Sequence, residues 1–146
     1  MKQAADDLAV VIRVQDSQVK HDATPWRGSC VEVFGSTPDA QAIGQVFLTP
    51  QADDNSPQGY RADGSKQTAT TDIRISSTQI ENGYELRALV PLSLLKIDPK
   101  KEFLLEFQAS SHNGKSRTYH TLFGSKHAYQ NNQRFGSFTI LDSGQN

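Results

Sequence analysis

Apolar residues recur at every second position through most of this chain, and that period limits the fold more than any single motif does. A strand with one buried face needs alternation, whereas a helix needs apolar residues every three or four positions. Leu8, Val10, Ile12 and Val14 share one face of a first strand. Val31 and Val33 share a face of a second, and Gly44 to Thr49 reads as a third. Asn82-Gly83 lies between Ile73-to-Ile80 and Tyr84-to-Val90. Both of its residues tolerate the positive φ of a type I′ hairpin turn. Asn113-Gly114 repeats the device, joining Phe103, Leu105, Phe107 and Ala109 to a shorter strand around Arg117 to Leu122. A last strand is expected over Phe135 to Leu141, with Asp142 to Asn146 fraying beyond it.

Two segments break the alternation. From Pro50 to Thr70 the composition turns to Asp, Asn, Ser, Gln, Gly and Thr, which predicts one long surface loop. Pro91-Leu92-Ser93-Leu94-Leu95 suits a single helical turn with proline at its first position, tucking leucines over the edge of the fold. The pattern therefore predicts an all-β chain: a two-sheet antiparallel β-sandwich of jelly-roll type with one short helical turn, built from about eight strands. Its 146 residues suit a single domain, residues 1–146, and no internal repeat is visible.

Several functions are disfavoured early. A net charge of −1 offers no basic field for nucleic-acid phosphates or anionic lipid. The longest apolar run falls well short of the roughly 20 residues a spanning helix needs, so neither nucleic acid nor membrane is expected as a partner. Cys30 is the only cysteine, which leaves no internal disulfide and suits a buried thiol. His21, His112, His120 and His127 show no helical ligand pair, although His112 and His120 flank one hairpin. Asp53-Asp54-Asn55 supplies hard oxygen donors, but too few to make a calcium site on its own; a solvated loop is the plainer reading. Nucleophile elbow, phosphate-cradling loop and His-Glu-x-x-His are all missing. Asp16 and Glu32 are a carboxylate pair whose separation the spacing does not set. No catalysis, cofactor or metal site is expected, with structural calcium kept as a possibility.

The chemistry concentrates in Pro25-Trp26-Arg27-Gly28-Ser29-Cys30-Val31-Glu32-Val33-Phe34. The only tryptophan stands in a loop bounded by proline and glycine, just ahead of a strand that carries a carboxylate among apolar residues. An indole packs on the C–H face of a pyranose, and an ionised acceptor takes its hydroxyl pairs. Glu32 alternates opposite to Val31 and Val33, so it points away from their core face. Both residues also have a structural reading: Trp26 capping one end of the sandwich, and Glu32 bonding internally to backbone or arginine.

The succession Asp7-Leu8-Ala9-Val10-Val11-Ile12-Arg13-Val14-Gln15-Asp16, then Pro25-Trp26-x5-Glu32-Val33-Phe34, then Gly83-Tyr84-Glu85-Leu86-x3-Val90-Pro91-x2-Leu94-Leu95, then Phe135-Gly136, resembles family 9 carbohydrate-binding modules. The resemblance implies a β-sandwich that binds a glycan end between aromatic residues without catalysing anything. It implies a parent polypeptide with catalytic or other domains, and an extracellular or periplasmic setting. It assigns sugar contacts to Trp26, Glu32 and Gln108. A second tryptophan expected before Phe135-Gly136 is replaced, nearest in place, by Tyr129. An arginine expected on the third strand is replaced by Phe47, with Arg61 as the stand-in. One or two strands expected before the Asp6-Asp7-Leu8 segment are missing. These departures keep a second function open: a structural or interaction sandwich that has lost its sugar cleft.

Overall fold

The computed structural model describes residues 6–39, 42–112 and 115–139. Ten strands stand among them: β1 (Asp7–Gln15), β2 (Cys30–Ser36), β3 (Gly44–Thr49), β4 (Gln58–Asp63), β5 (Lys66–Ala69), β6 (Arg74–Ile80), β7 (Gly83–Pro91), β8 (Phe103–His112), β9 (Arg117–Thr121) and β10 (Gly136–Phe138). They form two antiparallel sheets, a small one in the order β1-β7-β6 and a large one in the order β10-β8-β2-β3-β4-β5, with β9 also paired to β8. The chain is the two-sheet β-sandwich that its alternation predicts.

Register explains where the core lies. Directly opposed residues share a face, and β1 meets β7 through Leu8↔Val90, Val10↔Ala88, Ile12↔Leu86 and Val14↔Tyr84. That continuous apolar face packs on Val31, Val33, Val46, Leu48 and Leu105 of the large sheet. Fully burying each such aliphatic side chain stabilises the fold by about 1.5–3 kcal/mol. The odd positions of β1 and β7 and the even positions of β2 point outward, which places Glu85 and Glu32 on opposite outer faces. Between β1 and the strands β8 and β10 the sandwich is open, with an apolar recess of about 800 Å³.

Three expectations change. Residues 50–70 are not one loop, because they contain the β4–β5 hairpin, turned at Gly64 with φ +61. The Asn82-Gly83 hairpin turns one residue earlier than expected. Ile80 pairs with Gly83, so Glu81 and Asn82 form the loop and Asn82 takes φ 58. Gly83 serves a different need, since a Cβ there would stand 1.9 Å from the Val14 carbonyl oxygen. The Leu92–Leu95 turn is a 3-10 turn that starts after Pro91, and a second 3-10 turn occurs at Pro25–Arg27. Asn113-Gly114 and residues 140–146 lie outside the described residues. On either side of the former, His112 pairs with Arg117.

Candidate functional site

The even residues of β2 and the residues opposite them build the outer face of the large sheet. Glu32 stands opposite both Phe47 and Gln108, and Phe34 opposite Gln45 and Glu106. Glu32 is only 5% exposed. Its Oε1 accepts from Gln45 Nε2 at 2.7 Å and its Oε2 from Gln108 Nε2 at 2.8 Å. A carboxylate has about four acceptor sites, so roughly two remain for a ligand. Burial raises the Glu32 pKa above the usual carboxylate value. The amides of Gln108 and Gln45 and the charge of Arg117 pull the other way.

Glu32 forms part of the lining of a cleft of about 730 Å³, together with Gln45, Phe47 and Gln108. Its walls are aromatic: Trp26, Tyr119 and Tyr129 line it as well. Trp26 is half-buried in the Pro25–Arg27 turn, where proline at the first position removes an N–H that the turn could not satisfy. Arg27 N donates to the Thr24 carbonyl at 2.9 Å, and Thr24 N to Asp22 Oδ1 at 2.8 Å. The turn is tied down at its exit by Ser29, whose hydroxyl donates to buried Asp16 at 2.6 Å and accepts from Lys20 N at 2.9 Å. Gly28 is required by close approach, because a Cβ would lie 2.8 Å from the Lys20 carbonyl oxygen.

Tyr129 comes from the long connection between β9 and β10. Glu106, fully buried, organises its start: Oε1 accepts from Phe107 N and Phe123 N, and Oε2 from Ser125 N and the Ser125 hydroxyl. Ala128 and Phe135 then pack with Phe34 in a small second core on the outer face. Tyr129 itself is left 57% exposed, edge-on to His127 with ring centroids 6.0 Å apart.

Arg117 is the residue that sequence reasoning missed. Its guanidinium carbon lies 4.3 Å from the Trp26 ring centroid and 4.8 Å from that of Tyr119, and Nη1 donates to the Trp26 carbonyl at 3.2 Å. Arg27 also lies over the indole, at 5.1 Å. The tryptophan therefore carries cations from its own chain as well as walling the cleft. Gln45 was missed too. A polar residue in a strand otherwise buried at Gly44, Val46, Phe47, Leu48 and Thr49 was the available signal.

The structure brings Trp26, Glu32, Gln108 and Tyr129 to one cleft, whereas Arg61 is not among the residues lining it. Arg61 stands opposite Val46, on the other face of the sheet from Glu32, and its Nε meets Asp63 at 3.2 Å near the surface. Asp53, with φ 53, sits in a tight turn closed by reciprocal Ala52–Asn55 backbone bonds. Among the described residues no three His, Cys, Asp or Glu side chains are gathered to hold a metal. Cys30 is fully buried, and burial pushes its thiol pKa well up. No helix among the described residues is long and apolar enough to cross a membrane.

The chain is thus an antiparallel sandwich with an aromatic-walled cleft on the outer face of its larger sheet. No family model matches this sequence, and no curated protein matches it. Solved structures do. A family 9 carbohydrate-binding module from Caldicellulosiruptor kristjanssonii, in complex with glucose, superposes with a TM-score of 0.63 at 21% identity, over 97% of this chain and 74% of that one. The same organism's module in complex with cellotriose gives 0.62 at 21% identity, over 95% and 72%. A candidate carbohydrate-binding protein from Bacteroides uniformis gives 0.52 at 12%, over 88% and 69%. The fold is that of a family 9 carbohydrate-binding module.

Proposed function

We propose that this chain is a noncatalytic carbohydrate-binding module, holding a glycan end or short saccharide in the cleft as part of a larger polysaccharide-processing protein outside the cytoplasm. The observation that carries the reading is Glu32: a buried carboxylate oriented by two amides, with acceptor capacity left over beside aromatic walls. Sugar hydroxyls would donate to Glu32, and Gln108 and Gln45 hold it in place. Tyr129 offers the exposed ring, Trp26 adds a second aromatic wall, and the cationic part falls to Arg117 rather than Arg61. Two solved neighbours were seen with glucose and cellotriose, which supports a saccharide as the ligand class. Glycoside hydrolysis ordinarily needs two carboxyl groups across the scissile bond, and Glu32 is the one carboxylate among the described residues lining the cleft.

Retardation on polysaccharide gels tests this. A cleft of this size predicts binding on the order of micromolar to millimolar. Tyr129→Ala should abolish retardation with the melting temperature unchanged, and Trp26→Ala should abolish it with a drop of a few degrees at most. If Trp26→Ala binds no sugar only because it no longer folds, the wall assignment fails. A second reading, a structural sandwich without sugar binding, draws on the two guanidinium groups lying over the indole. It predicts that Trp26 fluorescence stays unmoved across a panel of glycans.

A further inference from the structure

The chain as a whole is slightly acidic, with 16 Asp and Glu against 15 Lys and Arg. The cleft reverses that balance. Arg117 and Lys126 line it with His127, against the single carboxylate of Glu32. A neighbouring recess shares Trp26 and Arg117 with the cleft and adds Arg27, with Asp22 also on its lining. Positive charge is thus gathered around the indole.

Arg117 differs in kind from the arginines that serve the fold. Arg13 and Arg87 each place Nε 2.8 Å from Glu85, and Arg61 places its own 3.2 Å from Asp63. Among the described residues no carboxylate lies within 4.0 Å of the Arg117 guanidinium. Two ring faces and a neutral carbonyl hold it instead. Those contacts restrict a long side chain in advance of binding, which removes much of the ordering cost that an arginine otherwise incurs when it takes an anion. Glu32 acts on it only from beyond ion-pair distance, so a directly paired counter-charge is still lacking, and the cleft is where a ligand would supply one.

We propose that the saccharide taken by this cleft is acidic, carrying a hexuronic acid unit whose carboxylate is received by Arg117, with Lys126 adding to the field. The inference rests on the carbohydrate reading above and adds the charge of the ligand to it. Glu32 binds hydroxyls at its own part of the cleft, while Arg117 takes the anionic group.

Calorimetry on the full chain decides it, comparing a trisaccharide of β-1,4-linked glucuronic acid with cellotriose and with sulfated cellotriose. The uronate should bind at least tenfold more tightly than cellotriose at low salt, and the gap should shrink toward nothing near 1 M salt. Arg117→Gln should bring the uronate down to the level of the neutral sugar, Lys126→Ala should cost a few-fold, and Arg117→Lys should keep part of the preference. Equal affinity for the neutral and uronate sugars overturns the inference and leaves the carbohydrate reading standing. So does tighter binding of the sulfated sugar, which would mean charge without a carboxylate preference. Binding of none of the three overturns both. Should Arg117→Gln fold poorly, the salt titration of the unmodified chain and the Lys126→Ala series still decide between these outcomes.

Discussion

Glu32 and Glu85 stand on opposite outer faces of one sandwich, each in the middle of a strand, and the protein treats them differently. Glu85 is answered by charge: the Nε atoms of Arg13 and Arg87 both reach it at 2.8 Å, and those interactions lower its pKa, Arg13 contributing first. Its needs are met within the small sheet, on a face lined by exposed arginine side chains. Glu32 is hydrogen-bonded only by amides, in a drier place; burial moves its pKa up, with the two amides and the more remote charge of Arg117 opposing that rise. Neutral donors hold a carboxylate still without cancelling its charge. Glu106, on the same face as Glu32, completes the contrast, because its four hydrogen bonds use all of a carboxylate's acceptor capacity. One carboxylate is neutralised, one is saturated, and one is oriented but left partly unused. The last is where a ligand fits.

Breaking the saturated group should have the largest effect. Glu106→Ala leaves the Phe123 and Ser125 amides without their acceptor at the root of the segment that carries Tyr129. A stability loss of about 3 kcal/mol is expected in urea denaturation. The Tyr129 wall should loosen with it, so sugar affinity falls in the same variant. A loss under about 1 kcal/mol would show that the connection holds itself through Ala128, Phe34 and Phe135 alone. Glu32→Gln should do the reverse, with stability kept or slightly raised because a desolvated charge has gone. Affinity for a neutral oligosaccharide should fall at least tenfold, about 1.4 kcal/mol, by calorimetry. Loss of stability with unchanged affinity would make Glu32 a structural residue and erase its contrast with Glu106.

How much of this was legible depended on whether a residue sat on a strand with one buried face. Alternation marks Leu8 to Val14 and Val31 to Val33 as core-facing, and by itself it puts Glu32 on the outer face. Gln108 needed the family resemblance, because an amide on a sheet looks the same whether or not it orients a carboxylate. β4 and β5 were invisible: Gln58 to Asp63 buries only Gly59 among its residues, so no hydrophobic period remains to be read. Arg117 was hidden by register. Whether it shares the face of Glu32 depends on how β9 pairs with β8, and Asn113-Gly114 announces a turn there without giving the observed register, in which four residues separate the paired His112 and Arg117. The aromatic contacts of Arg117 join residues 91 positions apart at Trp26, beyond any spacing argument.

The smallest expected effect is the most direct test of the two-carboxylate contrast, because the signs are opposite. Glu85 has a lowered pKa when folded, so its contribution to stability is present above the ordinary carboxylate value and is lost as pH falls through the lowered folded value. Glu32 has a raised pKa when folded, so its ionised form opposes folding once pH exceeds that raised value. The opposition disappears as pH falls below the ordinary value. Urea denaturation of Glu85→Gln and Glu32→Gln from pH 3 to pH 7 therefore separates them. The stability difference between the unmodified chain and Glu85→Gln should shift in favour of the unmodified chain as pH rises. That between the unmodified chain and Glu32→Gln should shift against it. The Glu85 effect should be small, since an exposed arginine on each side is well solvated and screened by salt. Two curves of the same sign would mean that Glu32 is neutralised in the folded chain as Glu85 is, and that Arg117 serves it rather than a ligand.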